Sequence, residues 1–274
     1  MTLNERPVED FTINEKPYYL PVGDEVGIFT AAFNAKIPVL LKGPTGVGKT
    51  RFVEYMAYML GGDTKFPVIT VACHEDLTTT DLTGKFLLKG DETVWVDGPL
   101  AIAVKKGCIC YLDEIVEARK DTTVIIHPLT DHRRVLPIDK KGTIIEADEN
   151  FFMVISYNPG YQSIIKELKQ STKQRFIAID FNYPDKEIEA EIIHHESGID
   201  KDIATDLARI GEKIRHIEGH ALSEGASTRV LIYAGVLIKN GISPRRACDV
   251  SITCLLTDEN EVRKAITEII SSIF

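Results

Sequence analysis

Before Pro184, short apolar runs alternate with amphipathic stretches. Pro38–Lys42, Phe66–Ala72, Cys108–Leu112, Phe151–Ser156 and Phe176–Phe181 are each five to seven residues long. Runs that short, rich in Val, Ile, Leu and Phe, read as strands buried on both faces. Between them the pattern turns helical. Gly23–Ala35 puts Val26, Phe29, Ala32 and Phe33 on one side, and Arg51–Leu60 does the same with Phe52, Tyr55, Met56, Met59 and Leu60, closed by Gly61-Gly62. Helices are also predicted from Leu100, over Val124–Leu129 and over Ser163–Lys173. Two segments alternate about a glycine-containing turn: 84–88 with 93–97, and 133–138 with 143–147. Each predicts a hairpin, giving inserted hairpins over 84–97 and 133–147. Strands separated by helices imply a mostly parallel α/β sheet, with its site at the strand C-terminal ends.

After Pro184 the strand pattern stops. Asp185–Ser197, Asp200–Ile217, Ser227–Lys239, Ser243–Leu256 and Asp258–Ile270 all read as helices. Ser243 precedes Pro244 at a first helical position, and Asp258 with Glu261 three residues on suggests a capping box. The expected organisation is an α/β domain over 1–183 and a small all-α lid over 184–274. Residues 1 to about 20 read as a polar arm ending in Pro17-Tyr18-Tyr19-Leu20-Pro21.

Composition narrows the function classes. The chain has 274 residues, 44% hydrophobic and 27% charged, enough for a real core. No apolar run approaches the 18 or so residues a membrane span requires, and the acidic, polar start does not resemble a secretory signal. A net charge of −9 argues against a general nucleic-acid binder. Cys73, Cys108, Cys110, Cys248 and Cys254 have no metal or redox spacing. They read as small buried residues in a reducing cytosol.

Chemistry concentrates at strand ends. Gly43-Pro44-Thr45-Gly46-Val47-Gly48-Lys49-Thr50 fits G-x-x-x-x-G-K-[ST] between a strand and a helix. Its glycines permit backbone conformations that let amide N–H groups close around phosphate at a helix N-terminus. Lys49 would reach the β- and γ-phosphates of ATP, and the Thr50 hydroxyl would bind Mg²⁺. The strand Cys108–Leu112 runs into Asp113-Glu114. Asp113 would hold Mg²⁺, through water, and Glu114 would polarise the attacking water. The strand ending at Ser156 runs into Tyr157-Asn158-Pro159-Gly160, which is also strong turn chemistry; an amide at that tip can reach both the γ-phosphate and the lytic water. Arg175 precedes the fifth strand, where an oligomeric ATPase would place an arginine finger. Arg229 opens a helix in Gly225-Ala226-Ser227-Thr228-Arg229, from which it could reach back to the phosphates.

Together these elements resemble the AAA+ ATPases, and the two hairpins resemble those of the MoxR branch. Val71-Ala72-Cys73-His74, Leu112–Thr123, Ile126–Asp131, Ile155–Gln162 and Lys169–Phe176 are similar to the CbbQ/NirQ/NorQ subgroup, and most like CbbQ. The resemblance covers residues 17 to 274. It implies ATP and Mg²⁺ as ligands and Asn158 in a sensing role. It further implies a bacterial cytoplasmic ring, expected to be a hexamer, acting with a partner bearing a von Willebrand A-type domain of the CbbO kind. The client is then Rubisco, freed of inhibitory sugar phosphates, or nitric oxide reductase as in the NorQ/NirQ members. Val116-Glu117-Ala118 departs from the Asn-Arg-Ala usual in broader MoxR proteins, and the aromatic–hydrophobic–Gly pore loop of threading unfoldases is not seen. A nucleic-acid-stimulated motor and a non-hydrolysing scaffold are the alternatives; the net charge opposes the first and Glu114 the second.

Overall fold

The structure, a computed structural model, describes residues 11–62, 66–159, 168–217, 222 and 224–274. In chain order its first elements are α1 (Glu25–Ala35), β1 (Val39–Lys42), α2 (Lys49–Gly61), β2 (Val68–Ala72), α3 (Thr79–Thr83), β3 (Gly84–Lys89), β4 (Glu92–Asp97) and α4 (Pro99–Lys106). Next come β5 (Ile109–Asp113), α5 (Lys120–Val124), β6 (Val135–Ile138), β7 (Thr143–Glu146), β8 (Phe152–Tyr157), α6 (Gln170–Lys173) and β9 (Ile177–Asp180). The remainder is helical: α7 (Lys186–Ser197), α8 (Lys201–Arg215), α9 (Thr228–Lys239), α10 (Pro244–Cys248), α11 (Cys254–Leu256) and α12 (Asn260–Ser271).

The five apolar runs form one sheet in the order β2–β5–β8–β1–β9, with every neighbouring pair parallel. Period-two alternation divides its residues between two cores. Val39, Leu41, Ile109, Tyr111, Phe152 and Val154 face Phe29 of α1 and Phe52, Val53 and Met56 of α2. Leu40, Cys110, Leu112, Met153 and Ile155 face Leu82, Leu100 and Val104 on the other side. A third core, including Ile193, Leu207, Ile210, Leu231 and Ile266, lies within the helices after Pro184. Strands β3–β4 and β6–β7 are the two expected hairpins, each a separate antiparallel pair. Phe86, Leu88 and Ile144 stay exposed on them.

Four expectations need correction. Val124–Leu129 is not one helix: α5 ends at Val124 and a 3₁₀ turn covers His127–Leu129. Pro128 explains the break, because its ring would clash with the carbonyl four residues back, that of Val124. The last helix starts behind Glu259 rather than Asp258, with no side-chain cap. Met59 is 47% exposed, because the helix needs no fifth apolar residue to reach the sheet. Cys254 is exposed while the other four cysteines are buried. Ser243–Leu256 does form helically, but with a π segment at Asp249–Thr253 between α10 and α11. The first part of the expected Ser163–Lys173 helix lies outside the described residues, as does the start of the N-terminal arm.

Phe152 joins α1 to the sheet. Its ring meets Phe29 at 5.4 Å and Phe33 at 5.2 Å, both edge-on, and it is 1% exposed. Phe152→Ala should therefore cost about 3–5 kcal/mol, read as a lower denaturation midpoint at unchanged slope. A loss under about 1 kcal/mol would mean that this aromatic junction does not hold α1 down.

Candidate functional site

Strand register brings the candidate residues together. Lys42 pairs with Tyr157 and Leu112 pairs with Ile155. The residues that follow these pairs, Gly43, Asp113 and Asn158, therefore emerge on one edge of the sheet. Gly43 takes φ +156° and is closely packed: a Cβ there would lie 2.3 Å from the Phe181 carbonyl oxygen. Gly46 and Gly48 have φ of 75° and 95°, in the left-handed region that favours glycine. A Cβ on Gly48 would meet nothing within 4 Å, so the loop keeps an open face at the start of α2. Val47 packs into the core beneath it. Lys49 is 6% exposed, and its Nζ donates to the carbonyls of Gly43 at 2.7 Å and Pro44 at 2.9 Å. Burial lowers its pKa, and the charges of Glu114, Asp113 and Glu224 oppose that shift.

Asp113 Oδ1 accepts from the Tyr111 hydroxyl and from Ser156 Oγ, both at 2.6 Å. The Thr50 side chain lies near enough to the Tyr111 hydroxyl to lower its pKa slightly, against the larger upward push of burial and Asp113, so Thr50 and Asp113 both neighbour this phenol. Two hard oxygen donors so close suit Mg²⁺, which is held by one or two protein oxygens together with substrate phosphates. Glu114 has φ 54° and ψ 51°, a left-handed conformation that costs a residue with a side chain about 1–2 kcal/mol. Its amide donates to Ser156 Oγ at 3.1 Å, and its Oε2 accepts from the Asn158 amide at 3.3 Å. Its Oε1 lies 4.0 Å from Lys49 Nζ. Burial pushes the Glu114 pKa up, Lys49 pulls it down and Asp113 raises it again; the net direction is upward. Asn158 is 4% exposed, and its Nδ2 donates to Thr45 Oγ1 at 3.3 Å and to Glu224 Oε1.

The approach to α9 lies across the phosphate loop. A Cβ on Gly46 would come within 2.7 Å of Ser227 Cβ and 3.5 Å of Arg229 Cβ. Arg229 is exposed, and its charge is felt at Lys49. A buried network anchors this segment. Arg215 makes a two-pronged pair with Glu189, at 2.8 and 2.7 Å, and donates to the Ala226 carbonyl at 2.8 Å. Thr228 adds a bond to Glu189 at 2.7 Å. Glu189 is fully buried, so a partner on each oxygen is what makes its charge tolerable there.

Arg175 makes its side-chain bonds elsewhere. Its Nη1 donates to Asp131 Oδ2 at 3.2 Å and to the His127 carbonyl at 3.4 Å. Its Nε is buried with no hydrogen-bond partner among the described residues. Asp131 is shared with Arg133, whose guanidinium is the main reason its carboxyl stays well below the usual range.

This arrangement matches known proteins along nearly its whole length. Residues 38–176 match the family model of the AAA domain (dynein-related subfamily), and residues 189–273 match that of the CbbQ/NirQ/NorQ C-terminal region. Protein CbbQ of Hydrogenophilus thermoluteolus is 55% identical over 264 residues, covering 96% of this chain and 97% of that one. The chain belongs to the CbbQ/NirQ/NorQ family of AAA+ ATPases. Protein NorQ of Paracoccus denitrificans is nearly as similar, 54% identical with 95% of each chain covered. Among solved structures a RuvB mutant from Thermotoga maritima has the same fold at 15% identity, with TM-score 0.56 and coverage of 96% of this chain and 72% of that one. Membership makes the chain a nucleotide-binding ATPase. No helix among the described residues is long and apolar enough to cross a membrane.

Sequence reading missed Tyr111, Ser156 and Glu224. Tyr111 and Ser156 each sit two residues before a flagged position, Asp113 and Asn158, on the same strand face. That parity was the available signal.

With Lys49 already counted, the fold disfavours ionised Glu114. The raised pKa means that its charge lowers stability above the folded pKa, and that this cost disappears below the unfolded pKa. Glu114→Gln should therefore melt higher than the wild type near neutral pH, with the gap closing as pH falls into the carboxylate range. A melting temperature unchanged or lower at neutral pH would contradict the upward shift.

Proposed function

We propose that this ATPase works as a ring, a hexamer, that converts ATP hydrolysis into remodelling of a protein client. The observation that carries the reading is Glu114 held between Lys49 and Asn158 at aligned strand tips. Lys49 leaves the loop carbonyls for the β- and γ-phosphates, joined by the amides of Gly43, Thr45, Gly46, Val47 and Gly48, with Pro44 shaping the turn. Glu114 takes the proton of the attacking water; its raised pKa brings it closer to working pH. Asn158 orients that water and senses the γ-phosphate. Mg²⁺, when held by Thr50 and Asp113, supplies charge neutralisation on the phosphates. Arg229 relays the nucleotide state to the helical domain, read as 184–274 beside a nucleotide-binding domain over 1–183. Arg175 acts in trans as the finger of a neighbouring subunit. Its side-chain bonds run to Asp131 and the His127 carbonyl, not to the phosphate loop, and the side chain is 31% exposed, which supports that role.

The likeness to CbbQ supports Rubisco as the client, reached through a von Willebrand A-type partner, with release of inhibitory sugar phosphates in the bacterial cytoplasm. The NorQ relative at 54% identity supports a second reading, nitric oxide reductase, with the same engine.

Glu114→Gln should bind ATP and assemble but lose about 10²–10⁴ in turnover; near wild-type hydrolysis would remove Glu114 from the role. In the wild type the acid limb of the turnover profile should lie higher than an unperturbed glutamate would set it, because protonating a group of raised pKa switches off the base. Arg175→Ala should bind nucleotide and form rings with turnover at least about 10²-fold lower. Mixing it with Glu114→Gln should restore activity by placing an intact Arg175 opposite an intact Glu114, and no restoration would sink the trans assignment. ATP-loaded Glu114→Gln, used as bait in lysate of the source organism, tests the client. Capture of Rubisco with a von Willebrand A-type protein supports the first reading, nitric oxide reductase subunits support the second, and neither would overturn both.

A further inference from the structure

Glu224 stands just before the Gly225-Ala226-Ser227 approach to α9, and its place in the fold is unusual for a carboxylate. Its Oε1 accepts from Asn158 Nδ2 and, at 3.5 Å, from the Thr45 hydroxyl. The same charge favours the ammonium form of Lys49. One anion therefore takes a donor from the phosphate loop and a donor from the tip of β8, beside the buried lysine. Loop donors, a strand-tip amide and a lysine are what a terminal phosphate requires. The rest of the segment is already fitted to the loop, with Ser227 against Gly46.

We propose that Glu224 is a specificity-determining residue: its carboxylate occupies the donors of the γ-phosphate until a triphosphate displaces it. The proposal rests on the reading of Asn158 as a γ-phosphate group. Two anions sharing the same donors and the same desolvated space repel each other, so a bound γ-phosphate and Glu224 exclude one another at Asn158. A diphosphate brings no group that competes for this place. The exchange also gives the nucleotide a mechanical output. Glu224 is three residues before Ser227 and five before Arg229, so its expulsion moves the segment that lies over the phosphate loop. ATP thus differs from ADP in whether that segment is held from below by Asn158 and Thr45.

Calorimetric titration of the nucleotide-free full chain with the β,γ-imido analogue of ATP and with ADP, both in Mg²⁺, tests this. Glu224→Ala should bind the triphosphate analogue about tenfold more tightly, the scale of one charge-assisted hydrogen bond, with ADP affinity within about twofold. Glu224→Gln keeps the shape and an acceptor without the charge, so it should fall between wild type and Glu224→Ala. Equal shifts for both nucleotides, or analogue affinity unchanged or weaker in both variants, overturn the proposal. Asn158→Ala made in the Glu224→Ala background, where the amide no longer holds a carboxylate, separates the two readings by comparison with Glu224→Ala alone. If it leaves the analogue-to-ADP ratio unmoved, the γ-phosphate role of Asn158 fails. If it lowers that ratio while the Glu224 variants leave it alone, only the Glu224 proposal fails.

Discussion

The parallel seating of β8 between β5 and β1 is the constraint on which the site depends. Three chain reversals become neighbours only because Leu112 is level with Ile155 and Lys42 with Tyr157. A slip of one residue would turn every side chain of β8 to the other face. It would carry Phe152 out of the aromatic cluster and Ser156 away from Asp113. The register is therefore paid for by the two hydrophobic cores, and the site inherits its precision from them. Helix α2 follows the same logic: Phe52, Val53 and Met56 fix it to the sheet, which fixes Lys49 at its first turn.

Much of this was legible in the sequence because the signals are local. Five short apolar runs became five strands, and the phosphate loop, Asp113-Glu114 and Asn158 all came from residues at strand ends. What escaped depends on long-range placement. Ser156 looks like an ordinary strand serine until β5 lies beside it. Asp131, which holds Arg175, is 44 residues away in the chain. Glu224 carries no pattern of its own and acquires meaning only where the helical region meets the phosphate loop. The Val124–Leu129 run departs from a helix for a different reason: its apolar spacing is helical, but the backbone chemistry of Pro128 decides.

The site also stores unfavourable terms that the surrounding structure must hold. Glu114 has a left-handed backbone and a partly buried carboxyl, and Lys49 is a buried ammonium resting on carbonyls. Arg175 leaves a donor unmatched. Each is costly in an isolated fold, and each belongs to a residue read as chemical. Such local conflicts persist where the cores around them are over-determined.

The Ser227 contact over Gly46 bears on time as well as affinity. Residues 224–227 touch the loop at Thr45 and Gly46, so a nucleotide seated there would share the loop with this segment. If the segment must lift for exchange, residence follows how often it does so, and the Glu189–Arg215 clasp, bonded to the Ala226 carbonyl, ties that lifting to α7 and α8. Collective motions of that kind run on the order of microseconds to milliseconds, far slower than the nanosecond flicker of a loose loop. Exchange would then be a gated event, with its clock in the helices that follow Pro184.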